Sequence, residues 1–179
     1  KRSGAHRELA IRIPSSIEDC LAAGLDPQAW IDEGIVDVLI GESSGGSALL
    51  NPMADFRPLV AAAKGSQCRV HAAIYSNVDS DRLGEAPIEI IRAAACNYWA
   101  QGIDGLYLAQ WFDNWPYQSS FYEKLRELPH PDVMAPKDKH YYVPTTTGRY
   151  PRPSRQPEET TSPPINMRVG EPATVKFMV

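Results

Sequence analysis

Glu42 is the side chain in this sequence that is best placed for acid–base or nucleophilic chemistry. It comes directly after the apolar run at residues 38–41, so a backbone with little freedom would hold its carboxylate at the end of a buried strand. A general acid, or a nucleophile at a sugar centre, requires a carboxylate that is fixed in this way. The alternative is a loop carboxylate that only accepts hydrogen bonds from nearby backbone amides, and both interpretations stay open at this point.

A second carboxylate, Asp113, lies in the aromatic stretch Trp111-Phe112-Asp113-Asn114-Trp115. It can be the catalytic partner of Glu42 or a turn former, because Asp and Asn side chains bond to the backbone nearby. Three aromatic rings within five loop residues are hard to explain by core packing alone. Trp111 or Trp115 is therefore a candidate platform for a sugar ring.

The remaining polar candidates follow other predicted strands. In parallel α/β folds the ligand binds where the strands end at their carboxyl side. A mixture of carboxylates, amides and aromatic rings suits a carbohydrate, because aromatic faces cover C–H surfaces while carboxylates and amides bind hydroxyl groups. We therefore predict a carbohydrate ligand, and the further binding candidates are Tyr75, Asn77 and Gln110.

Arg12 alternates with Ile11 and Ile13 in a short predicted strand. If the isoleucines face helices, Arg12 points to the other side of the sheet, where its guanidinium would need a carboxylate partner. Arg12 is then either a structural ion pair or an anchor that positions Glu42, and the sequence leaves both possibilities open.

Composition argues against several other functions. The net charge of −4 disfavours a nucleic-acid or acidic-lipid surface. The sequence also has no run of about 18 apolar residues, the length that a membrane-spanning helix needs. Gly45-Gly46 lacks the context of a phosphate-binding loop. Cys20, Cys68 and Cys96 have no metal-like spacing and are expected to be buried thiols. We expect neither a metal nor a cofactor.

The elements that must position these residues follow from a repeated pattern. An aromatic helix end, a Gly and an apolar run occur at residues 30–41 and again at 98–109. Two further apolar runs, at residues 9–14 and 68–76, fit the same plan. The sequence therefore predicts an α/β fold of four consecutive βα units with a parallel sheet. Four such units suit the second half of an eight-stranded (β/α)8 barrel.

The last part of the chain has a different composition. Seven of the 16 prolines lie in residues 144–179, and strand-like alternation returns only near the end. We predict a partial barrel domain at 1–143, a Pro-rich linker at 144–168 and the first strand of a β-sandwich at 169–179.

These residues carry a family resemblance. The stretches Arg12-Ile13-Pro14-Ser15, 24–37, 97–108 and Asp138-Lys139-His140-Tyr141 resemble the C-terminal half of bacterial family 10-like glycoside hydrolases. The resemblance implies a (β/α)8 barrel of which strands five to eight are present, followed by a β-sandwich. It also implies a secreted or periplasmic protein that acts on a polysaccharide.

The resemblance does not transfer a catalytic pair. In many barrel glycosidases one essential carboxylate comes from the first half of the barrel, and the other follows the seventh strand. Here the run at residues 70–77 contains no carboxylate, so Glu42 is a candidate from the residues alone.

Three hypotheses follow. The first is a glycoside hydrolase-like protein that acts on a poly- or oligosaccharide by carboxylate chemistry, and the second is a non-catalytic carbohydrate-binding or scaffold protein. The third is a small free-standing α/β sheet unrelated to sugars. On the half-barrel plan we also expect further protein, either a missing N-terminal half, a partner chain or a second copy, because a half barrel leaves strand edges unpaired.

Overall fold

Four parallel strands form the main sheet of the protein. The computed structural model describes residues 7–42, 49–78, 84–109, 111 and 119–141. The strands of this sheet stand in the order β1-β2-β3-β6. They are β1 Ala10–Pro14, β2 Val38–Glu42, β3 Arg69–Tyr75 and β6 Gly105–Ala109, while β4 Asn77–Val78 and β5 Gly84–Glu85 form a small antiparallel sheet. The parallel α/β class predicted from the sequence is therefore confirmed.

The described helices pack on one face of the main sheet. They are α1 Ile17–Ala22, α2 Pro27–Asp32, α3 Arg57–Ala63, α4 Ile88–Trp99, α5 Ser119–Glu127 and α6 Pro131–Met134. Buried residues of every one of these helices join a single core with Ile13, Leu39 and Val70 of the sheet. This arrangement confirms that the isoleucines of β1 face the helices.

The opposite face of the sheet carries a separate cluster made only of strand residues. Within the described part of the chain this cluster contains no helix residue, and we call the surface the helix-free face. Its apolar members are Val38, Ile40, Ala73, Tyr75, Tyr107 and Ala109. Because side chains alternate along a strand, Arg12 and Glu42 lie on this face as well.

Both copies of the repeated sequence pattern form the same local structure, in which a glycine ends a helix and an aspartate precedes a strand. Gly34 and Gly102 end their helices with φ angles of +63° and +87°, a conformation that glycine adopts at little cost. An aspartate then precedes each new strand. The Oδ2 atom of Asp37 accepts a hydrogen bond from the Leu9 amide at 2.7 Å, and that of Asp104 accepts one from the Val70 amide at 2.8 Å. Each repeat therefore ties the start of one strand to the strand beside it.

Short polar side chains cap two local structures before the helices. Ser16 caps α1, since its side chain accepts from the Asp19 amide at 3.1 Å. Asn51 accepts from the Met53 amide at 3.0 Å and so caps a turn, and α3 begins after that turn, at Arg57. Asx turns and helix caps use the same local chemistry.

A buried ion network joins α4 to α5 and to the segment after α6. Arg92 donates from Nε to Glu127 Oε2 at 3.0 Å, and its guanidinium also bonds to the Asp138 carbonyl. Lys137 pairs with the other oxygen of the same carboxylate. Burial alone would raise the pKa of Glu127, but the hydrogen bonds from Lys137 and Arg92 hold that pKa below its ordinary value.

The predicted linker at 144–168 and the predicted β-strand at 169–179 lie outside the described residues. In the part of the chain that the structure describes, no helix has the length and apolar character needed to cross a membrane.

Candidate functional site

Glu42 ends β2 at the carboxyl edge of the main sheet. Its neighbour in register on β1 is Pro14, and the Glu42 carbonyl accepts a hydrogen bond from the Ser15 amide at 3.0 Å. These backbone contacts fix the residue on both sides of the strand end. Its side chain stands on the helix-free face and is 23% exposed, so the carboxylate is held in place and still open to solvent.

Two donors from neighbouring strands hold the same oxygen of Glu42. The Tyr75 hydroxyl on β3 donates to Oε1 at 3.1 Å, and the Arg12 guanidinium on β1 forms an ion pair with Oε1. Among the described contacts, the other oxygen, Oε2, has no hydrogen-bond partner. The arrangement fixes the orientation of the carboxylate and leaves one oxygen available to a ligand.

The alternative interpretation of Glu42, a carboxylate that bonds nearby amides, finds no support in the described contacts. Both partners of its carboxylate are side chains from other strands. Arg12 forms an ion pair with Glu42, so Glu42 is the carboxylate partner that the sequence required for Arg12.

Tyr107 of β6 completes the cluster. The Arg12 Cζ atom lies 5.6 Å from the centroid of the Tyr107 ring, a distance typical of a cation–π contact. Burial would lower the pKa of Arg12, but Glu42 and the neighbouring tyrosines outweigh that effect and raise it. Four polar side chains, one from each strand of the main sheet, thus lie together on the helix-free face: Arg12, Glu42, Tyr75 and Tyr107.

Sequence reasoning did not select Tyr107. The residue sits inside the apolar run of the fourth strand, which reads as a buried strand with no distinct faces. Its position two residues before Ala109 gives it the same parity as that residue, and both lie on the helix-free face. Strand parity, applied to β6 as it was to β1, is the signal that would have identified Tyr107.

Trp111 is a core residue in this structure. Only 4% of the residue is exposed, and its indole Nε1 donates to the Ile74 carbonyl at 2.9 Å. Its ring packs edge-on against Phe121 at 5.9 Å, and Lys124 Nζ lies 5.7 Å from the ring centroid. A sugar platform needs an open ring face, so this placement gives the predicted binding role of Trp111 no support.

Asn77 belongs to the small sheet. It is buried, pairs with Glu85 across β4 and β5, and accepts the Leu50 amide on its carbonyl at 2.8 Å. None of its described contacts reaches Glu42, so the structure does not bring it into the cluster. The other candidates, Asp113, Gln110 and Trp115, lie outside the described residues.

No group of His, Cys, Asp or Glu side chains in the described part of the chain has the arrangement of a metal site. The described polar groups around Glu42 are one carboxylate, one guanidinium and two phenols.

The chain matches no model of a known protein family, and no curated protein matches it. The family resemblance, and the activity that it implies, are therefore predictions from the sequence, whereas the parallel α/β fold is established by the structure.

Proposed function

We propose that this chain is part of a glycoside hydrolase-like protein and that its carbohydrate binds on the helix-free face at Glu42. The observation that supports this most directly is that only one of the two carboxylate oxygens of Glu42 has described partners. Oε1 is fixed by Arg12 and Tyr75, while Oε2 has no described partner and lies at the carboxyl edge of a parallel sheet, where such folds bind ligands.

The contacts of Glu42 suit a charged role better than a proton-donating one. Both side-chain partners are donors, so they complement an ionised carboxylate. An ionised carboxylate can attack a sugar carbon, stabilise positive charge that develops there, or accept a hydrogen bond from a hydroxyl group. In this proposal Glu42 does one of these, and the general acid comes from another carboxylate.

The layout of the sheet supports a barrel-like plan. Strands β1, β2, β3 and β6 follow one another in space in the order in which their βα units follow in the chain, all are parallel, and their helices lie on one face. In a closed (β/α)8 barrel the helices lie outside and the opposite side chains point into the barrel. We propose that the four strands are the second half of such a barrel, completed by further protein.

A non-catalytic carbohydrate-binding protein is the second candidate. One observation favours it: Glu42 is the only carboxylate in the four strands of the main sheet. Hydrolysis in most glycosidases needs two carboxyl groups. A single carboxylate with an arginine partner is sufficient to bind sugar hydroxyls.

The variant Glu42→Gln tests both candidates, because it removes the charge and keeps the size of the side chain. Hydrolysis of a panel of oligosaccharides by the complete protein that contains this chain is followed by reducing-end release, and binding of the same panel is measured by calorimetry. We expect turnover to fall by about a hundredfold or more, with a melting temperature within a few degrees of the wild type because both ion-pair partners are partly exposed.

Glu8→Gln is the matched control. Glu8 forms an ion pair with Arg69 at 2.7 Å, at the opposite end of the same sheet, and its loss should leave turnover unchanged. Binding without turnover in the wild type would favour the second candidate. Turnover that is unchanged in Glu42→Gln would exclude the role proposed for Glu42.

A further inference from the structure

Arg12 is the more accessible partner of the ion pair at the site. Its side chain is 44% exposed, whereas that of Glu42 is 23% exposed. The Arg12 side chain is therefore more open than that of Glu42 to a ligand at the helix-free face. An arginine has five N–H donors, and the described partners of this guanidinium are Glu42 and Tyr107.

The guanidinium is also held in place before any ligand binds. Glu42 pairs with it on one side, and the Tyr107 ring lies 5.6 Å away on another. A long arginine side chain ordinarily loses rotamer freedom when it binds a ligand, and this cost is reduced when the side chain is already fixed. Arg12 therefore has the properties of a preorganised anion-binding group.

Charge on the helix-free face is unevenly distributed. The charged residues of the four strands are Arg12, Glu42 and Arg69. Arg69 begins β3 at the opposite end of the sheet and pairs there with Glu8. Near the carboxyl edge, Arg12 is thus the one described cation of these strands, and it can bridge Glu42 and a second carboxylate because its planar group has several donor edges.

We propose that the ligand of this site is an acidic sugar, whose carboxylate binds Arg12 while its hydroxyl groups face Glu42 Oε2. This inference rests on the proposed carbohydrate site and adds to it the chemical class of the sugar. Tyr107, which supports the guanidinium, is a positioning residue in this arrangement.

The test compares two forms of one ligand. The complete chain is titrated by calorimetry with trigalacturonic acid and with its fully methyl-esterified form, which has the same rings and linkages and no charge. We expect the acid to bind about tenfold or more tightly than the ester. In Arg12→Gln this preference should disappear, and in Arg12→Lys it should be weaker because an ammonium lacks the planar donor edge.

Arg57→Gln is the matched control. Arg57 pairs with Asp55 at 2.7 Å on the helix side and is more exposed than Arg12, so its loss should leave the preference intact. Tyr107→Leu removes the aromatic ring beside the guanidinium, so the preference should weaken in that variant. Melting curves of each variant show that the fold is retained.

The outcomes separate this inference from the proposed function. Equal binding of acid and ester, or binding of neutral oligosaccharides alone, overturns the acidic-sugar inference and leaves the carbohydrate site standing. A preference that survives Arg12→Gln overturns the role of Arg12. Failure of every oligosaccharide to bind overturns both proposals.

Discussion

At the scale of single residues, two of the carboxylates that pair with arginine, Glu127 and Glu42, lie in very different surroundings. Glu127 and Arg92 are 5% and 6% exposed, so neither can meet a ligand without local unfolding. Glu42 and Arg12 are 23% and 44% exposed and lie at the edge of the sheet. The buried pair therefore acts in the fold, whereas the exposed pair contributes little to stability and is available for binding.

The Glu127→Gln variant should show the structural role through its pH dependence. Removing one partner of a buried pair leaves Arg92 uncompensated, so we expect the free energy of unfolding at pH 7 to fall by about 3–5 kcal/mol. The pKa of Glu127 is lowered in the folded protein. Its stabilisation is therefore present above the unfolded-state pKa, near 4.5, and is lost as the pH falls through the folded-state pKa.

Urea unfolding at several pH values from 7 to 3 measures this effect. The difference between wild type and Glu127→Gln should be largest at neutral pH and should narrow below about pH 4.5. The exposed carboxylate Asp55, which also pairs with an arginine, provides the comparison, since Asp55→Asn should cost less than about 1 kcal/mol. If the difference in the free energy of unfolding between wild type and Glu127→Gln did not change with pH, the charge of Glu127 would not be what stabilises the fold.

At the scale of elements, the repeated block encodes more than a helix end and a strand. Its aspartates, Asp37 and Asp104, each accept a backbone amide from the neighbouring strand. Asp104 also donates its own amide to the Val70 carbonyl at 2.7 Å. These bonds satisfy backbone groups where the strand starts and fix its register, which a buried parallel sheet requires.

We expect Asp104→Ala to lower the free energy of unfolding by about 1–3 kcal/mol, because the Val70 amide loses its charged acceptor in a partly buried position. Chemical denaturation measures the change. Glu123→Ala is the control: Glu123 is exposed on α5 and has no polar partner among the described contacts, so its effect should stay within about 0.5 kcal/mol. If both substitutions lowered the free energy of unfolding equally, the hydrogen bond between the Val70 amide and Asp104 would not stabilise the fold as proposed.

Much of this architecture could be predicted from the sequence, since it depends on local signals. Gly34 and Gly102 do end helices, and the apolar runs are the strands. The small β4–β5 sheet was not predicted, because two-residue strands have no periodicity to detect.

The site was predicted less completely, because its contacts join distant parts of the chain. Strand parity placed Arg12 on the correct face of the sheet. The position of Glu42 at the end of β2 could be predicted from the apolar run before it. The burial of Trp111 was not predicted, since the residue lies in a stretch that was interpreted as a loop. Its burial depends on Phe121 and Lys124 of α5, which the sequence alone does not bring near it.

At the scale of the whole molecule, the described helices leave one face of the main sheet uncovered, and the sheet has two edge strands. Parallel sheets are ordinarily covered on both faces, yet the described helices cover only one. Strands β1 and β6 each have a single neighbour among the described strands. The unpaired backbone groups of such edges favour pairing with another strand.

We therefore expect the purified chain to associate in solution. Light scattering during size-exclusion chromatography, with mass spectrometry on the same sample, should give a particle heavier than one copy of the chain, and its mass should depend on concentration. Pairing at the edges explains this result, because each edge can accept a strand from another molecule. A particle with the mass of a single chain at every concentration would mean that these βα units complete their own core. The barrel plan would then be wrong, and the site at Glu42 would have to function on an open sheet.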